Sequence, residues 1–195
     1  MTRLLTRLAA LLLAAVLTAC SPAGEPLVFK GTDITGAEFG KPFTLTGHDG
    51  KPHGLADYRG KAVVLFFGYT HCPDICPTTM LEYQQVMKQL GPDADRVQVL
   101  FISVDPERDT PQVLAGYVPF FDKRFMGLTG APEQINTVAG QYKVVAQRQP
   151  TEGGGYSVDH SAGSYLFDRE GQLRVYVPYN TPLADIVHDL RQLLR

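Results

Sequence analysis

The spacing of apolar residues switches between a continuous, an alternating and a helical pattern along this chain, and the switches mark its elements. Ala62 to Phe67 is an unbroken apolar run, β-branched and aromatic, bounded by Gly60 and Gly68. It predicts a strand buried on both faces. From Thr78 to Leu90 the apolar residues Met80, Leu81, Val86, Met87 and Leu90 fit a helix, and Gly91-Pro92 marks its stop. Val97 to Val104 reads as a second buried strand. After it, Asp109 or Thr110 is placed to cap a helix that carries Pro111 in its first turn and runs to about Val118. Phe125 to Leu128 predicts a short strand. Thr129-Gly130-Ala131-Pro132 opens a helix through Ile135, Val138 and Ala139, ending near Gly140 to Tyr142.

The flanking segments carry weaker patterns. Phe43 to Thr46 alternates like a strand, Gly47-His48-Asp49-Gly50 supplies turn residues, and a return strand leads to Leu55. Val144 to Gln147 predicts a brief strand and Gln149 to Tyr156 a polar, glycine-rich loop. Ser164 to Phe167 and Leu173 to Val177 flank the turn Asp168-Arg169-Glu170-Gly171. Leu183, Ile186, Val187, Leu190 and Leu194 form one stripe of a terminal helix within Thr181 to Arg195. Strand–helix–strand–helix, then a hairpin and a last helix, predicts an α/β fold: a mixed sheet flanked by helices on both faces, behind an N-terminal β-hairpin.

Composition adds a leader and a compartment. At 195 residues and 44% apolar, the chain has room for one domain with a substantial core plus an N-terminal segment. Arg3 and Arg7 precede an apolar stretch, Leu8 to Leu17, too short for a comfortable membrane span. The stretch ends in Leu17-Thr18-Ala19-Cys20, which resembles a bacterial lipobox. That resemblance implies a lipoprotein signal peptide over 1–19, an acylated Cys20, and a tether ahead of the folded domain. We set the tether at 20–38, its first polar part being Ser21 to Pro26, and the domain at 39–195. Loss of 1–19 removes two arginines and no acid, so 18 cations against 20 acids (net −2) becomes 16 against 20 (net −4). No basic patch is left, which excludes nucleic acid as a partner.

Of three cysteines, Cys20 falls in the lipobox, leaving Cys72 and Cys76 in His71-Cys72-Pro73-Asp74-Ile75-Cys76-Pro77. Spacing of four suits one helix face, but the residue before proline is pushed out of helical geometry, and Pro77 suits a first helical position. This places Cys76 at the helix N-cap and Cys72 on the turn before it. Both sulfurs would then sit near the positive end of the helix dipole as exposed, acidified thiols. Such a pair can cycle to a disulfide or bind a soft metal. A disulfide closing so small a loop would stabilise little, so the pair is functional rather than structural.

Five histidines could complete a site. His48 and His53 lie in the early hairpin and read as solvated. His188 lies in the last helix with no cluster around it, and His71 adjoins Cys72, where neighbouring side chains usually diverge. His160 lies in Tyr156-Ser157-Val158-Asp159-His160-Ser161, just before a predicted central strand. In a thioredoxin-like layout that loop faces the cysteine turn. A histidine ligand needs an acceptor to orient its ring, for which Asp159 and Asp105 are the candidates.

Gly68-Tyr69-Thr70-x-Cys72-Pro73-Asp74-Ile75-Cys76-Pro77, then Ser103-Val104-Asp105-Pro106-Glu107-x-Asp109-Thr110-Pro111, then Val158-Asp159-His160-Ser161 resemble, in family order, the Sco/SenC copper proteins of cytochrome c oxidase assembly. The resemblance covers about residues 40–195. It implies a thioredoxin-like fold, copper as Cu(I) or Cu(II), and metal ligands at Cys72, Cys76 and His160. Asp105 matches an acidic position near that site. It further implies delivery of copper to the binuclear centre of cytochrome c oxidase subunit II, with another extracytoplasmic protein as donor. The expected place is the periplasmic side, lipid-anchored to the inner membrane, as a monomer and not an enzyme in the turnover sense.

Three other readings compete. A thiol–disulfide oxidoreductase that reduces the cysteines of the copper centre is the alternative, since a Cys72–Cys76 disulfide is chemically available. Three intervening residues instead of two, and no proline around Asp159-His160, weigh against it. A peroxiredoxin-type peroxidase lacks the right spacing of threonine and proline around Cys72. A catalytic zinc site shares the donor set, but no hydrolytic apparatus accompanies it.

Overall fold

The computed structural model describes residues 26–195; Cys20 and the expected lipobox and signal peptide lie outside the described residues. Ten strands and four α-helices follow in order: β1 Thr32–Asp33, β2 Leu45–Gly47, β3 Pro52–His53, β4 Ala62–Gly68, α1 Ile75–Leu90, β5 Val97–Ser103, α2 Pro111–Phe121, β6 Met126–Thr129, α3 Pro132–Gln141, β7 Ala146–Pro150, β8 Tyr156–His160, β9 Ser164–Phe167, β10 Leu173–Val177 and α4 Leu183–Leu193. Eight strands form one sheet in the order β1-β10-β9-β4-β5-β6-β2-β3, and β7 and β8 pair separately. The three central strands β4, β5 and β6 are parallel, while β9 joins β4, and β2 joins β6, antiparallel. This is the expected mixed sheet with helices on both faces.

The continuous apolar runs have a physical counterpart. Every residue of β4 and β5 is buried. Alternate side chains then feed two cores. Ala62, Val64 and Phe66 pack with Met80, Tyr83 and Met87 of α1, Leu114 and Val118 of α2, and Ile186 and Leu190 of α4. Val63, Leu65 and Phe67 pack with Ile135, Val138 and Tyr142 at α3 and with Leu55 and Tyr165. Each buried valine, leucine or phenylalanine among them contributes about 1.5–3 kcal/mol by leaving water, so β4 is anchored from both sides. Its last residue, Gly68, is a glycine because of crowding: a Cβ there would lie 2.8 Å from the Phe101 ring and 3.0 Å from the Cys76 sulfur.

Three elements differ from expectation. Helix α1 starts at Ile75 with Asp74 as N-cap, which puts Cys76 inside the first turn rather than at the cap. Pro77 is then the third helical residue. Its missing N–H is one a helix start leaves unpaired anyway, and no preceding helical turn exists for its ring to strike. The segment 146–160, read as a short strand and a loop, is a hairpin of five paired residues on each side, so His160 ends a strand. At the N-terminus the fold takes in residues ahead of the boundary at 39. Thr32–Asp33 pairs with β10, and buried Asp189 of α4 accepts the Lys30 and Gly31 N–H groups at 2.7 and 2.8 Å.

Register also fixes where the chain enters. Thr32 sits beside Tyr176, Tyr176 beside Tyr165, and Tyr165 beside Leu65. Strand β1 runs antiparallel to β10 and hence opposite to β4. The N-terminal segment therefore arrives at the end of the sheet where β4 delivers the cysteine turn.

Candidate metal site

Strand β4 ends in a buried environment and the chain must leave it through Gly68-Tyr69-Thr70. The turn is tied down by Asp109, which is fully buried. Its carboxylate accepts from the Thr70 N–H at 2.9 Å, the Thr70 hydroxyl at 2.6 Å and the Ser103 hydroxyl at 2.6 Å. Asp109 is thus not a helix cap; Thr110 takes that role, accepting from the Val113 N–H at 3.3 Å. Beyond the turn, the Cys76 N–H donates to the Cys72 sulfur at 3.4 Å, which draws Cys72 back over the start of α1.

Opposite the turn stands β8. The Tyr69 hydroxyl accepts from the Val158 N–H at 3.2 Å and so links turn and strand directly. His160 Nε2 lies 3.2 Å from the Cys76 sulfur, and the ring meets Phe66 and Tyr69 edge-on with centroids 6.3 and 5.9 Å apart. Cys72 Sγ, Cys76 Sγ and a His160 ring nitrogen all lie within 4.8 Å of one another, the only such trio among the described residues. Both cysteines are free thiols. A cavity of about 380 Å³ opens beside them, walled by Tyr69, Cys72, Pro73, Asp74 and Ile75 on one side and Ser157 to His160 on the other.

The ring of His160 is oriented by neither expected acid. Its Nδ1 lies 2.9 Å from the Ser161 carbonyl. A carbonyl only accepts, so Nδ1 carries the proton and Nε2 presents its lone pair to the sulfurs. Burial holds the imidazole below its ordinary pKa, opposed by the Ser161 bond and the Asp159 charge. Asp159 is exposed and acts on the ring only through that charge.

Asp105 is fully buried and has other partners. It pairs with the Arg108 guanidinium, accepts from the Tyr156 hydroxyl at 2.8 Å, and faces Arg148 at 3.7 Å. Arg108 also donates to the Tyr156 carbonyl at 3.0 Å and lies 3.9 Å above the Tyr156 ring. Arg148 reaches Glu107 at 2.8 Å. Asp105 is therefore the anchor of the β7–β8 hairpin. Sequence reasoning missed Tyr69, Arg108, Arg148 and Tyr156. The alternation of Arg148 with Tyr156 and the acids of 105–109 carries a signal only once the hairpin is known.

The thiols depart from expectation. Cys76 is completely buried, and burial pushes its thiol well above the ordinary range, outweighing a hydrogen bond to the Tyr69 backbone. Cys72 is half-buried, so neither thiol is the exposed one the turn suggested. His48 and His53 are not solvated either. Both are half-buried, His48 Nδ1 accepting from the Gly127 N–H at 3.0 Å and His53 held between Asp49 and Tyr58 at 3.0 and 2.9 Å. His188 bonds Asp189 at 2.9 Å.

Two sulfurs and one imidazole nitrogen suit a soft or borderline metal, Cu(I), Cu(II) or Zn(II). The SCO1/SenC family model matches residues 31–195. The chain belongs to the SCO1/SenC family. The mitochondrial SCO2 homolog of Mus musculus is 40% identical over 153 residues, covering 77% of this chain and 60% of that protein. The chain thus spans about three-fifths of that relative's length. Among solved structures, Bradyrhizobium japonicum ScoI with copper bound is 42% identical with a TM-score of 0.74, covering 80% of this chain and 99% of that one. Yeast Sco1 with copper bound is 32% identical with a TM-score of 0.72, covering 79% and 87%. The thioredoxin-like fold of the family is the fold observed here.

Proposed function

We propose that this protein is a copper carrier for the assembly of cytochrome c oxidase, with Cys72, Cys76 and His160 as its ligands. The observation that carries the reading is the trio of donors within 4.8 Å of one another, in a chain similar to Sco proteins solved with copper. Thiolates favour Cu(I), and a three-donor set leaves the cargo open to an incoming ligand. Transfer proceeds by ligand exchange onto the cysteines of the binuclear copper centre of subunit II, with no turnover chemistry by this chain. A second extracytoplasmic protein supplies the copper.

We place the protein on the periplasmic side, held to the inner membrane by acyl chains on Cys20. The chain enters the sheet at the end that carries the cysteine turn. Residues 20–29 span at most roughly 35 Å when extended. An anchored molecule would therefore present its cargo toward the membrane-bound target at high effective concentration.

One observation favours a second activity: Cys72 and Cys76 are free and close enough to pair. A thiol–disulfide exchange with the target cysteines is compatible with copper carriage, because metal loading needs reduced thiols. Incubating the copper-loaded full chain with the copper domain of subunit II, once reduced and once oxidised, separates the two. Copper appearing on the target with the carrier's thiols still reduced supports carriage. Reduction of an oxidised target, with no copper moved in either state, supports the reductase instead.

A further inference from the structure

The geometry points to the Tyr69 hydroxyl as the group that holds His160 on the two sulfurs, which makes Tyr69 a positioning residue that sets how well the site retains Cu(II) relative to Cu(I). The inference rests on the copper-carrier reading and adds a residue to it. Tyr69 is 2% exposed and touches both halves of the site. Its backbone hydrogen-bonds the Cys76 sulfur. Its ring meets the His160 ring edge-on at 5.9 Å. Its hydroxyl accepts from the Val158 N–H at 3.2 Å, two residues before His160. The same side chain walls the cavity beside Cys72 and His160.

The pairing of the hairpin shows why a hydroxyl matters there. Opposed residues of an antiparallel ladder alternate between hydrogen-bonded and non-bonded pairs. The Thr151 N–H bonds the Gly155 carbonyl, and the Ser161 N–H bonds the Val145 carbonyl. Stepping inward by twos from both ends makes Gln149–Ser157 and Gln147–Asp159 bonded pairs and leaves Arg148–Val158 non-bonded. The Val158 N–H therefore points away from β7. Val158 is buried, where an unpaired amide is costly, and the Tyr69 hydroxyl is the partner this amide finds.

Among the described residues, that bond and the approach of His160 to Cys76 are the only hydrogen-bond contacts between residues 68–76 and β8. Asp105 and Arg108 grip the hairpin elsewhere, at Tyr156 and Arg148. A phenylalanine at position 69 would fill the ring's place but leave the strand that carries His160 untied from the cysteine turn.

The consequence differs between the two copper states. Thiolates are the preferred donors of soft Cu(I), whereas Cu(II) draws more on nitrogen. A hydroxyl that acts through His160 alone must therefore change the retention of Cu(II) more than that of Cu(I).

The test compares Tyr69→Phe, His160→Ala and the double variant with wild type, as the reduced full chain. Affinities are read by competition with a chromogenic Cu(I) chelator and with a Cu(II) chelator, Cu(II) spectra by EPR, and the copper-free chain by amide exchange. In Tyr69→Phe we expect Cu(II) affinity to fall about tenfold, the lower end of what losing an outer partner of a ligand costs. Its EPR spectrum should shift, and Cu(I) affinity should change by about twofold or less. Amide exchange should accelerate across 156–160 and stay unchanged across 75–90. Added to His160→Ala, Tyr69→Phe should lower neither affinity further, since its route to copper is already gone. Wild-type Cu(II) affinity and spectrum in Tyr69→Phe would overturn the inference. Equal losses for both copper states would overturn it too, as would a further loss on top of His160→Ala, because either marks a general weakening of the fold. A wild-type chain that takes up no copper in either state would instead sink the carrier reading itself. The exchange data on the copper-free chain would then still decide whether the hydroxyl holds β8.

Discussion

Cys76 stands in the first turn of a helix packed on the central strand, whereas His160 ends a strand whose partner, β7, is exposed along all five residues. The cysteine half of the site is an extension of the core. Strand β4 is buried at every position, and Gly68 lets the Cys76 sulfur close against it. The histidine half lies outside the main sheet. Polar groups hold it: Asp105 with Arg108, Arg148 and Tyr156, and the Tyr69 hydroxyl on the Val158 N–H. Packing is cooperative and hard to open locally, while a hairpin fixed by a handful of polar contacts opens at lower cost. Copper release would then begin at His160, with the two sulfurs letting go last.

Substitutions can break this contrast at either half. The largest effect is expected from Cys72→Ser or Cys76→Ser, which should abolish tight copper binding and the capacity to form an internal disulfide; native mass spectrometry would read the loss as apo protein only. His160→Ala should weaken copper binding by at least about 100-fold, more than the roughly 10–100-fold typical of losing an outer partner of a ligand. It should leave Cys72–Cys76 oxidation intact, as measured by thiol trapping.

Loading should also release protons. Burial raises the Cys76 thiol, so the free protein keeps that proton at neutral pH and copper must displace it. Affinity therefore rises with pH, by about tenfold per unit for each proton released, until the thiol ionises unaided. Calorimetry in buffers of differing ionisation heat would count the protons. The smallest effect is expected from Tyr156→Phe, which removes the 2.8 Å bond to Asp105. A hydrogen bond to a charged group contributes about 1.5–3 kcal/mol. Amide exchange should accelerate across 146–160 and stay unchanged across 75–90, with copper affinity lowered several-fold at most.

The cysteine half was also the more legible in sequence. An unbroken apolar run can only be a buried element, and the stop at Gly91-Pro92 and the turn Asp168–Gly171 fall where their residue types demand. The trio Cys72, Cys76 and His160 was readable through the order of three motifs. What stayed hidden has physical causes. Strand β7 has no buried position and hence no alternation to detect, and β1 is two exposed residues. Pro77 is tolerated in a first helical turn at more than one position, so it could not fix the helix start. Burial of Cys76 depends on Phe66, Phe101 and the missing side chain of Gly68, which no local pattern reveals. Asp105 and Asp109, read as a candidate acceptor for the His160 ring and a candidate helix cap, are instead buried anchors, because arginines, hydroxyls and backbone donors converge on them from several segments.

Copper titration of the reduced full chain, read by mass spectrometry for stoichiometry and by absorption and EPR for Cu(II), tests the central claim most directly. We predict one copper per chain, with a sulfur-to-copper charge-transfer band that disappears in Cys72→Ser and shifts in His160→Ala. Full reduction of both thiols with no tightly bound copper would contradict the account, as would a His160→Ala chain whose affinity and spectrum match wild type.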